Sequence, residues 1–331
     1  MPTLSTNNPT MADVAKRTDP GGQIDMIVEI LNQTNPILQD MTAIEGNLPT
    51  GHRSTVRTGL PMPTWRRIYG GVQPTKSTTA QVTDNCGMLE DYAEVDKALA
   101  DLNGNTASFR LSEDRAHIEG MNQEVAQTLI YGNDGVAPAE FTGLAPRYNS
   151  LSAPNGENII NAGGAGNDNT SAWLVVWGPN TAHSIYPRGS KVGLQVNDKG
   201  QVTIENADGQ GGRMEGYRTH YRWDIGLTLR DWRFVARVAN IDVSDLNSDP
   251  DKLQALITYM IEASERIPNL GMGRAVWYVN RNLRTKLRLA ILSKISNNLT
   301  WETVAGAQMM MFDGVPVRRT DALLNTEAPV T

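Results

Sequence analysis

At 331 residues, 40% of them hydrophobic and with a formal net charge of −6, the chain can bury a substantial core and divide into two or three compact regions. A single cysteine, Cys86, and four scattered histidines (His52, His117, His183, His220) exclude an internal disulfide and a Cys-based zinc site, so neither a metal nor a cofactor is expected. No apolar run approaches the roughly 18 residues of a membrane span, the opening MPTLSTNNPT lacks the order of a signal peptide, and mild acidity argues against a dedicated nucleic-acid binder; a cytoplasmic start without a membrane partner follows.

Residues 1 to 20 are polar and contain Pro2, Pro9 and Pro20, which predicts a loose tail. A short amphipathic helix should follow, carrying Ile24, Ile27, Val28 and Leu31 and stopped by Asn35-Pro36. Between Glu45 and Asp84 there is no acidic residue, only Arg53, Arg57, Arg66, Arg67 and Lys76, and then Asp84, Glu90, Asp91, Glu94, Asp96 and Asp101 come in close succession. The basic half also holds Gly59, Pro61, Pro63, Gly70, Gly71 and Pro74, a composition too broken for a helix and too thin for a core. It reads as an arm that needs a partner. Trp65, Ile68 and Tyr69 before Gly70-Gly71, with Val72 after, predict a hairpin whose turn uses the two glycines.

Leu89, Tyr92, Val95, Leu99 and Leu102 recur at three- and four-residue steps, predicting a helix-like acidic connector with its carboxylates outward. A long helix is expected from Ser112, capped by that hydroxyl, with Ile118, Met121, Val125, Leu129 and Ile130 on one face and Gly132 as a left-handed cap. Strand signals then dominate: WLVVW at 173 to 177, KVGLQV and QVTIE as a hairpin around Asp198-Lys199-Gly200, alternation from Tyr217 to Leu229, and a resumption through Trp232, Phe234, Ala236 and Val238. A helix opening at Asp249-Pro250 presents Leu253, Leu256, Ile257, Met260 and Ile261 and ends by Pro268. Another near 280 to 295 presents Leu283, Leu287, Ala290 and Ile291, and GVPVRR at 314 to 319 closes the chain as a strand.

No catalytic constellation assembles. Gly163-Gly164-Ala165-Gly166 lacks the Lys-Ser/Thr pair and the strand-to-helix context of a phosphate loop. His183-Ser184 lacks a nucleophile elbow and reads as a surface loop, while Asp198 and Asp208 beside glycines read as turns, not calcium ligands. Residues 266 to 301 are acid-free, and Arg281, Arg284 and Arg288 on the predicted helix are candidates to face DNA; a solvated or partner-facing helix side is the usual meaning of such a run. Trp223, Trp232 and Phe234 are read as core.

"YAEVDKALADL" at 92 to 102, "WLVVWGP" at 173 to 179, "YPRGSKVGL" at 186 to 194, "RDWRFVARVANID" at 230 to 242 and "FDGVPVRRTDAL" at 312 to 323 together resemble tailed-bacteriophage major capsid proteins of the Hong Kong 97 type, in particular those of short-tailed phages. The resemblance implies an α+β fold: an N-terminal arm (1–51), an extended hairpin loop (52–83), and a peripheral domain with a long helix (84–145, completed by sheet residues near 217–240 and 312–323). A mainly axial domain with a mixed sheet (146–311) and a C-terminal strand and tail (312–331) complete it. It further implies a non-enzymatic subunit that assembles with itself through hexamers and pentamers into an icosahedral shell around double-stranded DNA, held non-specifically. A portal, a cement protein and a separate scaffolding protein are implied partners, the last because only about 50 residues precede the hairpin. The virion is the implied location, with assembly in the host bacterial cytoplasm. Lys76 is the hairpin's only lysine and no motif marks an asparagine mate, so an isopeptide weld is not carried over. An encapsulin-type compartment and a phage tail structural protein are the alternatives, the latter disfavoured by the helices.

On that reading, Arg53, Arg57, Leu60, Trp65, Arg66, Arg67, Ile68 and Tyr69 on the hairpin are subunit-contact residues, with Glu90, Asp91 and Glu94 of the acidic connector as the docking surface for Arg66 and Arg67.

Overall fold

The computed structural model describes residues 33, 35–104, 106–205, 211–248, 250–292, 299–304 and 307–331. The expected N-terminal tail and its short helix lie outside the described residues, as does Asp208. In chain order the strands are β1 (Ala43–Glu45), β2 (Gly51–Gly59), β3 (Thr78–Asp96), β4 (Ile159–Asn161), β5 (Asn169–Trp177), β6 (Ala182–Tyr186) and β7 (Gln195–Glu205). They continue with β8 (Arg213–Leu229), β9 (Val235–Asp242), β10 (Arg274–Val279), β11 (Leu299–Val304), β12 (Ala307–Phe312) and β13 (Val315–Arg319). Three long helices are α1 (Thr106–Tyr131), α2 (Pro250–Arg266) and α3 (Arg281–Leu292). The described residues form two compact units, one drawn from 33, 88–125 and 193–224, the other from 35–87, 126–192 and 225–331.

The larger unit is built around β5, all nine residues of which are buried. That is why its second part, residues 172–177, is a continuous apolar run instead of an alternating one: both faces are covered. β5 pairs antiparallel with β9 and with β10, β10 pairs parallel with β13, and β6 pairs parallel with β1 and antiparallel with the end of β8, giving a mixed sheet. Leu174 and Val176 of β5 and Val238 of β9 join Leu256, Ile257 and Met260 of α2 and Leu283 and Leu287 of α3 in one apolar core. α2 and α3 form where their spacing predicts, with Pro250 as the first residue of α2.

In the smaller unit, β7 pairs antiparallel with the first part of β8, and the core is Val95, Leu99, Ala100 and Phe109 together with Ala93, Met121 and Tyr221. Four local expectations change. The acidic connector is mostly a strand, the end of β3; helix is confined to Lys97–Ala100, with Asp96 accepting from the Ala98 amide at 2.7 Å, and a 3-10 turn at Leu102–Gly104. Ala93 and Val95 are buried while Tyr92 is half exposed, so the period is two; the three-step spacing of Leu89, Tyr92 and Val95 imitated a helix. α1 starts at Thr106, ahead of Ser112, because Phe109 is buried among Val95, Leu99 and Ala100 and draws the preceding turn into the helix.

Gly132 is not left-handed; a Cβ there would meet the Phe141 carbonyl oxygen and Thr128 Cγ2, both at 2.5 Å, so close approach is what requires glycine. Asp198-Lys199-Gly200 does not turn the chain. It makes a bulge inside β7, with Gly200 at φ 68° and its amide donating to Asp198 Oδ1 at 2.8 Å.

Candidate subunit-contact site

β2 and β3 form a two-stranded arm, in register from Gly51↔Asn85 to Arg57↔Thr79, with an irregularity before the last pair, Gly59↔Thr78. At its root Gly51, His52, Ser54 and Asp84 are buried. Asn47 and Arg53 exchange two hydrogen bonds of 2.7 Å, and Arg53 Nε donates to Thr83 Oγ1 at 3.2 Å, so Arg53 is tied to its own hairpin. Asp84 is paired with Arg147 at 2.9 Å. Beyond Gly59 the ladder stops, because Pro61 and Pro63 cannot donate to it.

Residues 60 to 77 therefore form a tip without strands. Its turn is closed by the Gly70 amide donating to Arg67 O at 3.0 Å, and the residue with positive φ is Tyr69 at 63°, not one of the two glycines. The glycines' freedom is thus not what sets this turn, whose central residues are Ile68 and Tyr69, two positions before the expected Gly70-Gly71. On the tip, Leu60, Met62, Trp65, Ile68, Tyr69 and Val72 are all exposed, Trp65 at 103% and Tyr69 at 101%. Arg57, Arg66 and Arg67 are exposed beside them. Arg57 and Leu60 also line a cleft of about 890 Å³ with Pro154, Arg230 and Trp232.

Within the smaller unit, Glu90 and Glu94 of β3 face basic side chains of β8, and Asp91 faces His117 of α1. Glu90 pairs with His220 at 3.2 Å and Arg222 at 3.6 Å, Asp91 with His117, and Glu94 with Arg218 at 2.6 Å. Asp224 first, and Glu90 after it, hold the Arg222 guanidinium above its ordinary pKa. Each of the three carboxylates proposed to receive the arm is thus already engaged within its own chain. On α3, Arg281 pairs with Asp321 at 3.2 Å and Arg288 lies 5.3 Å from the Trp301 ring centre. Arg284 is half-buried, its pKa lowered by that burial and then by Arg319 and Arg288.

Three buried polar arrangements were not read from the sequence. Arg237 pairs with Glu327 at 2.8 Å, donates to the Tyr148 carbonyl at 2.7 Å and lies over Trp173. Tyr131 and Ser171 also donate to Glu327, tying the last residues of the chain to β5 and β9. Asp40 accepts from Tyr278 and pairs with Arg274 and Arg318. His183, expected in a surface loop, is buried in β6 with its ring 5.9 Å from that of His52. The apolar Ala182 and Ile185 around it were the available signal for a strand; the distant partners of Arg237 and Asp40 left none.

The family model for the major capsid protein GP7 matches residues 19–331. No curated protein sequence matches. Among solved structures, a chain of the cryo-EM-derived structure of bacteriophage Epsilon15 is 39% identical over 100% of both chains, with a TM-score of 0.78. The bacteriophage JBD30 capsid is 12% identical, covering 90% of this chain and 95% of its own, with a TM-score of 0.47; the capsid of a native GTA particle is 12% identical over 71% and 99%, with a TM-score of 0.46. The chain belongs to the major capsid protein GP7 family: it is a shell-forming structural protein of a tailed-phage virion, with the α+β fold of the Hong Kong 97 type.

Proposed function

We propose that this subunit assembles through hexamers and pentamers into an icosahedral shell around double-stranded DNA, and that the arm of each copy seals the shell by burying its tip on a neighbouring copy. The observation that carries this is the run of six large apolar residues exposed on a tip that has no strands of its own. Burying Leu60, Trp65, Ile68 or Val72 contributes about 1.5 to 3 kcal/mol each, against about 0.2 to 1 kcal/mol for an exposed ion pair. Apolar anchors therefore supply most of the affinity, and Arg57, Arg66 and Arg67 set where the tip lands. Glu90, Asp91 and Glu94 remain the acidic surface offered to those arginines, but sharing carboxylates that already have partners makes the electrostatic part small.

Assembly in the host bacterial cytoplasm, with a separate scaffolding protein, a portal and a cement protein, completes the reading, as does a division into peripheral and axial domains. The acid-free face of α3 is proposed to meet packaged DNA without sequence preference, through the exposed Arg288 more than through Arg281, which pairs with Asp321, or Arg284, which is half-buried. Particle yield by electron microscopy tests the arm. Trp65→Ala should lower the yield of closed shells well below that of Arg53→Ala, and equal wild-type yields from both would overturn the proposal.

A further inference from the structure

Four strands meet at the root of the arm, and the polar side chains between them are poorly matched. His52 of β2 and His183 of β6 are buried with their rings edge to face, and none of their four ring nitrogens makes a well-formed hydrogen bond within the chain. Asp84 lies directly across the β2–β3 ladder from His52, and Thr228 directly across the β6–β8 ladder from His183. Asp84 Oδ2, Ser54 Oγ and Thr228 Oγ1 are likewise buried without a partner in the chain. Buried polar atoms are normally paired, so a cluster drawn from facing strands marks a place where a change of charge is costly.

The charged groups around the pair are unequal in sign. Arg230, at the end of β8, acts on both imidazoles and is held by Pro179 O at 3.2 Å and Asn180 Oδ1 at 3.3 Å. From the short helix Leu144–Arg147, Arg147 donates to the carbonyls of Gly143, Thr142 and Leu227 and pairs with Asp84. Asp84 of β3 is the nearby carboxylate, and it is already neutralised by that arginine. A proton on either histidine would add a positive charge beside another imidazole and Arg230, in a site removed from water.

We propose that the His52–His183 pair is a proton-operated latch: the neutral rings hold β2 of the arm against β6, and protonation loosens the arm's root. The latch concerns the attachment of the arm and stands whether or not the tip buries on a second copy. Burial first, then His52 and Arg230, lower His183 to about 4, with the Gly178 backbone opposing; burial and Arg230 lower His52, with Asp84 opposing. The sign follows from linkage. A loosened root re-exposes imidazoles of ordinary basicity, binds more protons than the closed root, and gains weight as pH falls from about 6.5 towards 4. Above that window the latch is fully closed.

Amide hydrogen exchange read by mass spectrometry on the full-length protein, at pH 7.5 and pH 5 and corrected for intrinsic exchange, tests this. Segments 51–56 and 80–86 should lose on the order of tenfold protection at pH 5 relative to 169–177. The double variant His52→Leu with His183→Leu should show no such loss. Unchanged relative protection in the wild-type protein overturns the latch, as does an acid-induced loss that survives in the double variant. If the double variant does not fold, the wild-type transition decides: a midpoint between pH 4 and 6.5 supports imidazoles, and one below pH 4 assigns the effect to carboxylates and overturns the proposal.

Discussion

The arm tip and strand β5 are both rich in large apolar residues, and they meet opposite fates. Trp173, Leu174, Val175, Val176 and Trp177 are each buried to within 1% of completely, whereas Trp65, Ile68 and Tyr69 are almost wholly in solvent. The difference lies in the neighbours. β5 has hydrogen-bonded strands on both sides and two helices contributing to its core, so an uninterrupted apolar run is satisfied inside one subunit. The tip is broken by Pro61, Pro63 and Pro74 and belongs to an arm of two strands, which cannot build a core alone. Apolar surface of that kind is the mark of an interaction site, which is the ground of the contact proposed for the tip.

Substitutions can break or sharpen this contrast. The largest effect is expected in the buried knot beside β5: Arg237→Met removes the ion-pair partner of the buried Glu327, and should cost about 3 to 5 kcal/mol in denaturant unfolding of the unassembled subunit. Trp173→Ala, which opens a cavity under the Tyr148 ring, should cost a similar 3 to 5 kcal/mol by the same measurement. Trp65→Ala should leave subunit stability unchanged within about 0.5 kcal/mol while weakening assembly by about 1.5 to 3 kcal/mol in a concentration series. A loss of subunit stability comparable to that of Trp173→Ala would erase the distinction between the two regions. Smallest is the charge effect: Arg66→Ala and Arg67→Ala should each change assembly by about 0.2 to 1 kcal/mol and reduce its sensitivity to ionic strength. A steep salt dependence that survives their removal would move the electrostatics elsewhere.

Much of the fold was legible because its signals are local. α2 could be read from Pro250 and the spacing of Leu253, Leu256, Ile257 and Met260, and β13 from Val315 and Val317. The end of β3 was misread because Leu89, Tyr92 and Val95 satisfy a helical step by accident, and only pairing of its carboxylates with Arg218, His220 and Arg222 shows which period applies. The start of α1 was misjudged for a related reason: the contacts that hold Phe109 come from residues before the helix. Of the candidate contact site, the arm with its strandless tip could be read, because prolines and glycines announce themselves. The engagement of Glu90, Asp91 and Glu94 within their own chain could not, since pairing across strands depends on register.

The sequence by itself determined that residues 46 to 83 carry no acid and that this stretch, with its large apolar side chains, cannot form a core of its own. Composition and turn chemistry suffice for that, because they act through each residue's own conformational and solvation preferences. Tertiary structure alone decided which charges are spent inside the subunit, from Arg237 with Glu327 to Asp40 with Arg274 and Arg318, and which polar groups, His52 and His183 among them, are buried without compensation. Those outcomes depend on residues far apart in the chain reaching one place, and local preference carries no record of such meetings.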